Sequence, residues 1–413
     1  MTEHVQTARP VPRPAAAPVL LGPAVVAALA YVDPGNFATC FSAGAQDGYR
    51  LLWVVLAASV AAAFLQYLAA ALGAAGGLSL PELCRRGGRQ AAVLGLWLQA
   101  ETVCAATDVA EVVGTALALN LLFGLPPVCG ALVAGAVGFV LPALTPHGQR
   151  GLERVMAAAL AGVCLLVLPL AALSHPRPAA VAAGLLPGLS GTGTLTLAAG
   201  IVGATVMPHT LYLHSALTTG GRREAAGRGV PAAGRTLAAV RAQRGNIAAA
   251  MSAATLVNLG LLVLAGARLG GRPDASLTDA FAVFDHGSHA AALAFALALL
   301  IAGLASTVVG THAGQEVMRG FLHRSLSPAL RRLVTLLPSV ALLAAGVPLG
   351  TALVLSQVVL CFGIPFALVP LLLALHRIGR GGRTAAGPRV LAVGWATAAL
   401  VILLDLGTLA TLL

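Results

Sequence analysis

A chain of 413 residues that is 58% hydrophobic, only 9% charged and of mean hydropathy +0.90 is not a string of soluble domains; it has the composition of an integral membrane protein. Its net charge of +11 comes from arginine alone, 25 residues with no lysine, and loops beside an anionic lipid surface account for it without nucleic acid. The six scattered cysteines form no CxxC pair, which argues against a zinc cluster or a disulfide framework.

In chain order, a proline-rich start, residues 1–17, reads as a disordered cytoplasmic tail. Apolar stretches of spanning length follow at about 19–45, 52–74, 91–123, 127–144, 155–173, 195–217, 246–267, 289–311, 333–346, 350–374 and 390–413. The ninth is the shortest. Ala28-Leu29-Ala30 imitates a secretory cleavage site, but the segment reads better as the first half of a broken helix.

With the N-terminus inside and one crossing per span, 21 arginines fall on the cytoplasmic side and four (Arg50, Arg177, Arg268 and Arg272) outside. A missed or invented span would scramble that alternation, so the 21 to 4 split supports eleven crossings and an outside C-terminus.

Two spans are interrupted. The first carries Asp33-Pro34-Gly35-Asn36 and the sixth carries Met207-Pro208-His209. They lie five spans apart, so they cross in opposite directions, as the discontinuous helices of inverted-repeat transporters do. The predicted fold is therefore an all-α membrane protein of about eleven helices. Residues 18–374 form a ten-helix, five-plus-five core, 375–389 a cytoplasmic loop and 390–413 an eleventh helix.

Proline removes a backbone donor and glycine loosens the chain, so the first break offers the Asp33 carboxylate, the Asn36 amide and freed carbonyls such as that of Ala30. That is a cation site by default. The plainer reading is a proline kink with Asp33 as a helix cap or an arginine partner. At the second break Pro208 frees the Ala204 carbonyl and Met207 adds a soft sulfur. A lone methionine in an apolar helix is ordinary packing; opposite Asp33 and Asn36 it completes a donor set for a transition dication, because sulfur offers little to Mg²⁺ or Ca²⁺. Gln357 in the tenth span could bring an amide oxygen to the ion or simply bond a neighbouring helix.

Glu101, Asp108 and Glu111 in the third span, at offsets of seven and ten, share a helix stripe roughly 80° wide at about 100° per residue. Acids and histidines in lipid are typical of proton relays, and structural salt bridges near the cytoplasmic end are the alternative. His209, beside Pro208, belongs with the relay by position; His214 reads as a hydrogen-bonded packing residue. His312 and Glu316, one turn apart, read as a pair, and Asp405 in the last span has no evident role.

Ala30-Tyr31-Val32-Asp33-Pro34-Gly35-Asn36-Phe37-Ala38-Thr39, Gly203-Ala204-Thr205-Val206-Met207-Pro208-His209 with Leu211 to Ser215, and Ala106-Thr107-Asp108-Val109-Ala110-Glu111 together resemble the signatures of the Nramp family of proton-coupled divalent metal transporters. The resemblance covers essentially the whole chain. It implies a leucine-transporter-like fold and inward carriage of Mn²⁺ or Fe²⁺ with protons by alternating access. It makes Asp33, Asn36 and Met207 metal ligands, joined by the carbonyls of Ala30 and Ala204 and by Gln357 in different conformations. It makes Asp108 the proton acceptor, with Glu111, His209, Glu101, Arg331 and Arg332 extending the polar pathway. Cys40 and Thr210 stand where many members carry asparagine, and His312 where an apolar residue is common.

The expected partners are divalent metal ions, protons and the lipid bilayer, with no cofactor, no nucleic acid and no obligate protein partner. The arginine- and alanine-rich composition suggests a bacterial plasma membrane. A sodium-coupled organic-solute transporter of the same architecture is the nearest rival. An intramembrane metalloenzyme is a more distant one, since no H-E-x-x-H motif or nucleophile–base pair is present.

Overall fold

The computed structural model describes residues 22–144, 148–189, 191–227, 232–324, 327–380 and 386–412. The predicted tail at 1–17 lies outside them. The described residues are almost entirely helical. In chain order the helices are α1 Pro23–Ala30, α2 Pro34–Asp47, α3 Leu52–Gly76, α4 Leu80–Gly87, α5 Gln90–Phe123, α6 Pro127–Leu144, α7 Gln149–Ala172 and α8 Pro178–Gly184. They continue with α9 Thr192–Thr205, α10 Pro208–Gly227, α11 Ala232–Leu269, α12 Leu277–Gly287, α13 His289–Leu322, α14 Pro328–Ala344, α15 Leu349–Arg380 and α16 Pro388–Leu412.

Every predicted apolar stretch is occupied by a helix. By length and apolarity eight of the described helices can cross a membrane, counting Gly193–Thr219 across the second break as one, and nine when α1 and α2 are joined. The remaining two predicted crossings are the helices α6, of 18 residues, and α14, of 17, whose first two turns carry Arg331 and Arg332.

Both predicted interruptions are present, and each has a local cause. α1 tightens at its end into i to i−3 bonds, Tyr31 N to Ala28 O at 3.1 Å, Val32 N to Leu29 O at 3.0 Å and Asp33 N to Ala30 O at 3.3 Å. Asp33 then caps α2, its Oδ1 accepting from Asn36 N at 2.8 Å, with Pro34 in the first turn, where no backbone donor is needed. The two rods bend by 48°. At the second break α9 ends with Val206 N on Val202 O at 2.7 Å, and Pro208 opens α10. The Thr210 hydroxyl donates to Met207 O at 2.7 Å and fastens the new first turn.

α1 is buried along its whole length and packs on α7, α10, α11 and α13. α2 lies against α9 and α11, while α16 is peripheral, leaning on α15 and α9. Its Leu400, Leu403 and Leu406 face outward, as a lipid-bathed helix requires. Three short helices, α4, α8 and α12, escape the hydropathy reading. α4 starts on a capping box of Ser79 and Glu82, and α12 on one of Ser276 and Asp279. At α12 the Ser276 hydroxyl and backbone amide hold the Asp279 carboxyl below its ordinary value of 3.8.

Candidate metal and proton site

The two breaks touch. Asn36 Nδ2, from the first turn of α2, donates to Ala204 O in the last turn of α9 at 2.7 Å and to Asp33 Oδ1 at 3.1 Å. Asn36 Oδ1 faces two long donors, Thr205 Oγ1 at 3.5 Å and Asn258 Nδ2 at 3.3 Å. Asp33, Asn36, Thr205, Met207, Asn258 and Gln357 are all fully or almost fully buried.

Asp33 divides its labour. Oδ1 caps the helix, as the plainer sequence reading expects, while Oδ2 is buried without a hydrogen-bond partner, and Gln357 Oε1 and Asn258 Oδ1 are in the same condition. A buried acceptor left unpaired costs about 1 to 3 kcal/mol. Three such oxygens on the elements that meet at the breaks are the feature a cation would satisfy.

Gln357 is wedged between the broken rods. A Cβ at Gly35 of α2 would collide with its side chain, and one at Gly203 of α9 would collide with its backbone carbonyl and with Cys361 N. These two close approaches require glycine. They set Gln357 against both rods.

The freed carbonyls differ in part from expectation. Ala204 O has lost its helical donor to Pro208 and is taken by Asn36. Ala30 O keeps a long turn bond from Asp33 N at 3.3 Å, and it is Tyr31 O that is released from the helix and held by Asn258 Nδ2 at 2.9 Å. The reason is the 3₁₀ tightening, which closes one carbonyl and opens its neighbour.

The acid stripe runs along α5 from half-buried Glu101 to nearly buried Asp108 and fully buried Glu111. Glu111 accepts from Ser306 Oγ of α13 at 3.0 Å. His209 reaches the stripe through Nδ1, 3.3 Å from Thr107 Oγ1, next to Asp108. Since the Thr107 hydroxyl spends its proton on Val103 O at 3.0 Å, the imidazole is the donor. The side chains of Arg331 and Arg332 lie outside the described residues. His214 is the packing histidine the sequence indicated, with Nδ1 2.6 Å from Gln66 Oε1. His312 bonds Val308 O at 2.8 Å, and Glu316 pairs with Arg319 at 2.6 Å. Asp405, without a role in the sequence reading, lies against the Cys361 thiol of α15.

The sequence reading missed Asn258, Thr205 and Gln66. Each stands among apolar residues with no local motif around it, and only its repetition of the membrane-polar pattern of Asn36 could have flagged it. Among the described residues no cluster of three His, Cys, Asp or Glu side chains could hold a metal.

The family model for natural resistance-associated macrophage protein-like proteins matches residues 24–411. The chain belongs to the Nramp family. Among its relatives is a divalent metal cation transporter of Deinococcus radiodurans, 43% identical over 389 residues, covering 93% of this chain and 88% of that protein. Another, of Mycobacterium tuberculosis, is 45% identical over 390 residues, 94% of this chain and 90% of the relative. The solved manganese transporter of Eremococcus coleocola superposes with a TM-score of 0.82 at 30% identity, covering 95% of this chain and 86% of that one. A nucleobase-cation-symport-1 transporter in a closed conformation superposes with a TM-score of 0.62 at 16% identity, which shows the shared fold alone. This Nramp protein is thus a multi-pass, all-α membrane protein of the leucine-transporter-like architecture.

Proposed function

We propose that this protein imports divalent transition metal ions, Mn²⁺ and Fe²⁺, together with protons, by alternating access. The observation that carries the reading is the contact between the two helix breaks: the Asn36 amide bonds Asp33 and the Ala204 carbonyl, three residues before Met207, beside an unpaired Asp33 oxygen. Relatives named as divalent metal cation transporters at 43 to 45% identity support it.

In this reading Asp33, Asn36 and Met207 hold the ion. The carbonyls of Ala204 and Ala30 and the Gln357 oxygen join as the half-helices rearrange. The thioether selects against hard ions, since Mg²⁺ and Ca²⁺ gain little from sulfur. An arriving dication competes with a proton for the same Asp33 oxygen. The displaced proton passes to Asp108, with His209, Glu111, Glu101, Arg331 and Arg332 forming the path inward. An inside-negative voltage adds about 2.3 kcal/mol per elementary charge per 100 mV. Residues 18–374 make the transport core in a bacterial plasma membrane, the N-terminus is cytoplasmic and the C-terminus outside, and the chain carries its cargo without chemical conversion.

The test is uptake of Mn²⁺ into proteoliposomes with simultaneous readout of lumenal pH. The wild type acidifies the lumen as it loads Mn²⁺, and Asp33→Asn abolishes both signals. Mn²⁺ uptake by Asp33→Asn at the wild-type rate refutes the site, and competition by amino acids without competition by Fe²⁺ favours an organic-solute carrier.

A further inference from the structure

Below the second break, one hydroxyl gathers a chain of buried hydrogen bonds from three helices. Thr210 Oγ1 of α10 lies 2.7 Å from Met207 O, 2.6 Å from Tyr31 Oη and 2.8 Å from Gln66 Nε2 of α3. Gln66 Nε2 also bonds Tyr31 Oη, and Gln66 Oε1 takes His214 Nδ1 at 2.6 Å. A threonine hydroxyl has one proton and two lone pairs. Its proton goes to the Met207 carbonyl, which can only accept. The Tyr31 hydroxyl and the Gln66 amide must then both donate to Thr210, and His214 must carry its proton on Nδ1 to serve the remaining Gln66 oxygen. Every bond in the chain thus points towards Met207, and Thr210 is saturated.

Tyr31, Gln66, Thr210 and His214 are all buried to within 1% exposure. Immediately beyond them, past Ser215, a cavity of about 270 Å³ opens between α4, α7, α10 and α13, lined by Ser79, Glu82, Gln149, Leu217, Thr219 and Gly320. The cluster therefore stands between the candidate metal site and this cavity, on the side the arginines assign to the cytoplasm. Tyr31 is also the residue at which α1 ends, so it couples the cluster to the short rod ahead of the break.

We propose that Thr210 is a positioning residue for the inner gate: its hydroxyl pins the end of α1, through Tyr31 and Gln66, to the Met207 turn and keeps the site sealed from the cavity. Inward release requires the Tyr31–Thr210 contact to part, which lets α1 leave while α10 stays. This rests on the import reading only for the direction of release; the pinning itself is independent of what is carried.

The test is hydrogen–deuterium exchange of the full chain in lipid nanodiscs, following α1 amides with α16 as reference. Thr210→Val, equal in shape and lacking the hydroxyl, raises α1 exchange about five-fold or more, the factor for one lost hydrogen bond, and leaves α16 unchanged. Thr210→Ser restores the wild-type rate. Unchanged α1 exchange in Thr210→Val, or equal rates in the serine and valine variants, overturns the proposal. If α16 also loosens in Thr210→Val, Tyr31→Phe decides: faster α1 exchange alone supports the pin, and no change overturns it. A wild type that fails to take up Mn²⁺ sinks the import reading and leaves this contrast standing.

Discussion

The wedging of Gln357 between two glycines gives a paired perturbation with opposite outcomes. In Gly35→Ala the new methyl meets the Gln357 side chain, a flexible group that can swing aside at the loss of its Nε2 bond to Ser356 Oγ at 3.0 Å, about 1 kcal/mol. Replacing helical glycine by alanine returns about 0.5 to 1 kcal/mol, so thermal stability stays near that of the wild type. Gln357 is nevertheless expelled from the site. If its oxygen reaches the ion, the loss of a hydrogen-bond-scale contact to a charge, about 1.5 to 3 kcal/mol, weakens Mn²⁺ binding roughly 10- to 100-fold. In Gly203→Ala the methyl meets backbone, the Gln357 carbonyl and Cys361 N at 2.7 Å. The α9–α15 contact must then spread, costing about 1 to 3 kcal/mol of stability.

Mn²⁺ titration by calorimetry and thermal unfolding of the purified protein separate the two. In a Gln357→Ala background Gly35→Ala has nothing left to expel, so its effect on affinity vanishes. Wild-type Mn²⁺ affinity in Gly35→Ala, or simple additivity with Gln357→Ala, refutes the reasoning.

Met207→Ala keeps Mn²⁺ uptake but raises transport of Ca²⁺ or Mg²⁺ relative to Mn²⁺, and an unchanged preference in competition uptake removes the sulfur argument. Asp108→Asn retains part of the Mn²⁺ flux and loses the accompanying lumenal acidification; full acidification denies Asp108 its role. Ser276→Ala weakens the α12 cap by about 1 kcal/mol, read as faster amide exchange in α12. Because Ser276 depresses the Asp279 carboxyl below 3.8, its contribution is present in full above the ordinary value and fades as pH falls through the lower folded one. The gap between the wild-type and Ser276→Ala rates of α12 therefore narrows in strong acid to the part held by the Ser276 hydroxyl on Asp279 N, and a gap that does not change with pH excludes the carboxylate.

The spans and both interruptions were legible because hydropathy and proline chemistry are local. Asp33, Pro34 and Met207-Pro208 state their own conformation wherever the chain folds. The partner of each exposed group was not local. Asn258 lies 222 residues from Asn36 and Gln66 lies 144 from Thr210, and a single amide in an apolar helix has no periodicity to mark which helix it will meet. The exchange of roles between the Ala30 and Tyr31 carbonyls was hidden for another reason, since proline marks where a helix must stop but not how tightly the last turn winds. α4 was within reach, because Ser79 and Glu82 spell a capping box that the hydropathy reading passed over.

The Asn36 side chain places its two amide hydrogens on Asp33 and Ala204 while its oxygen faces only long contacts. Turning that amide by half a revolution exchanges donor for acceptor: it releases both oxygens and adds a third, while the reversed amine meets the Thr205 hydroxyl and gives up the bond from Asn258 Nδ2. No backbone has to move for this. Side-chain rotation is orders of magnitude quicker than the swing of a helix, so under the proposed import the capture of an ion and its translocation would run on separate clocks, and an ion could be sampled and rejected many times before it is carried across.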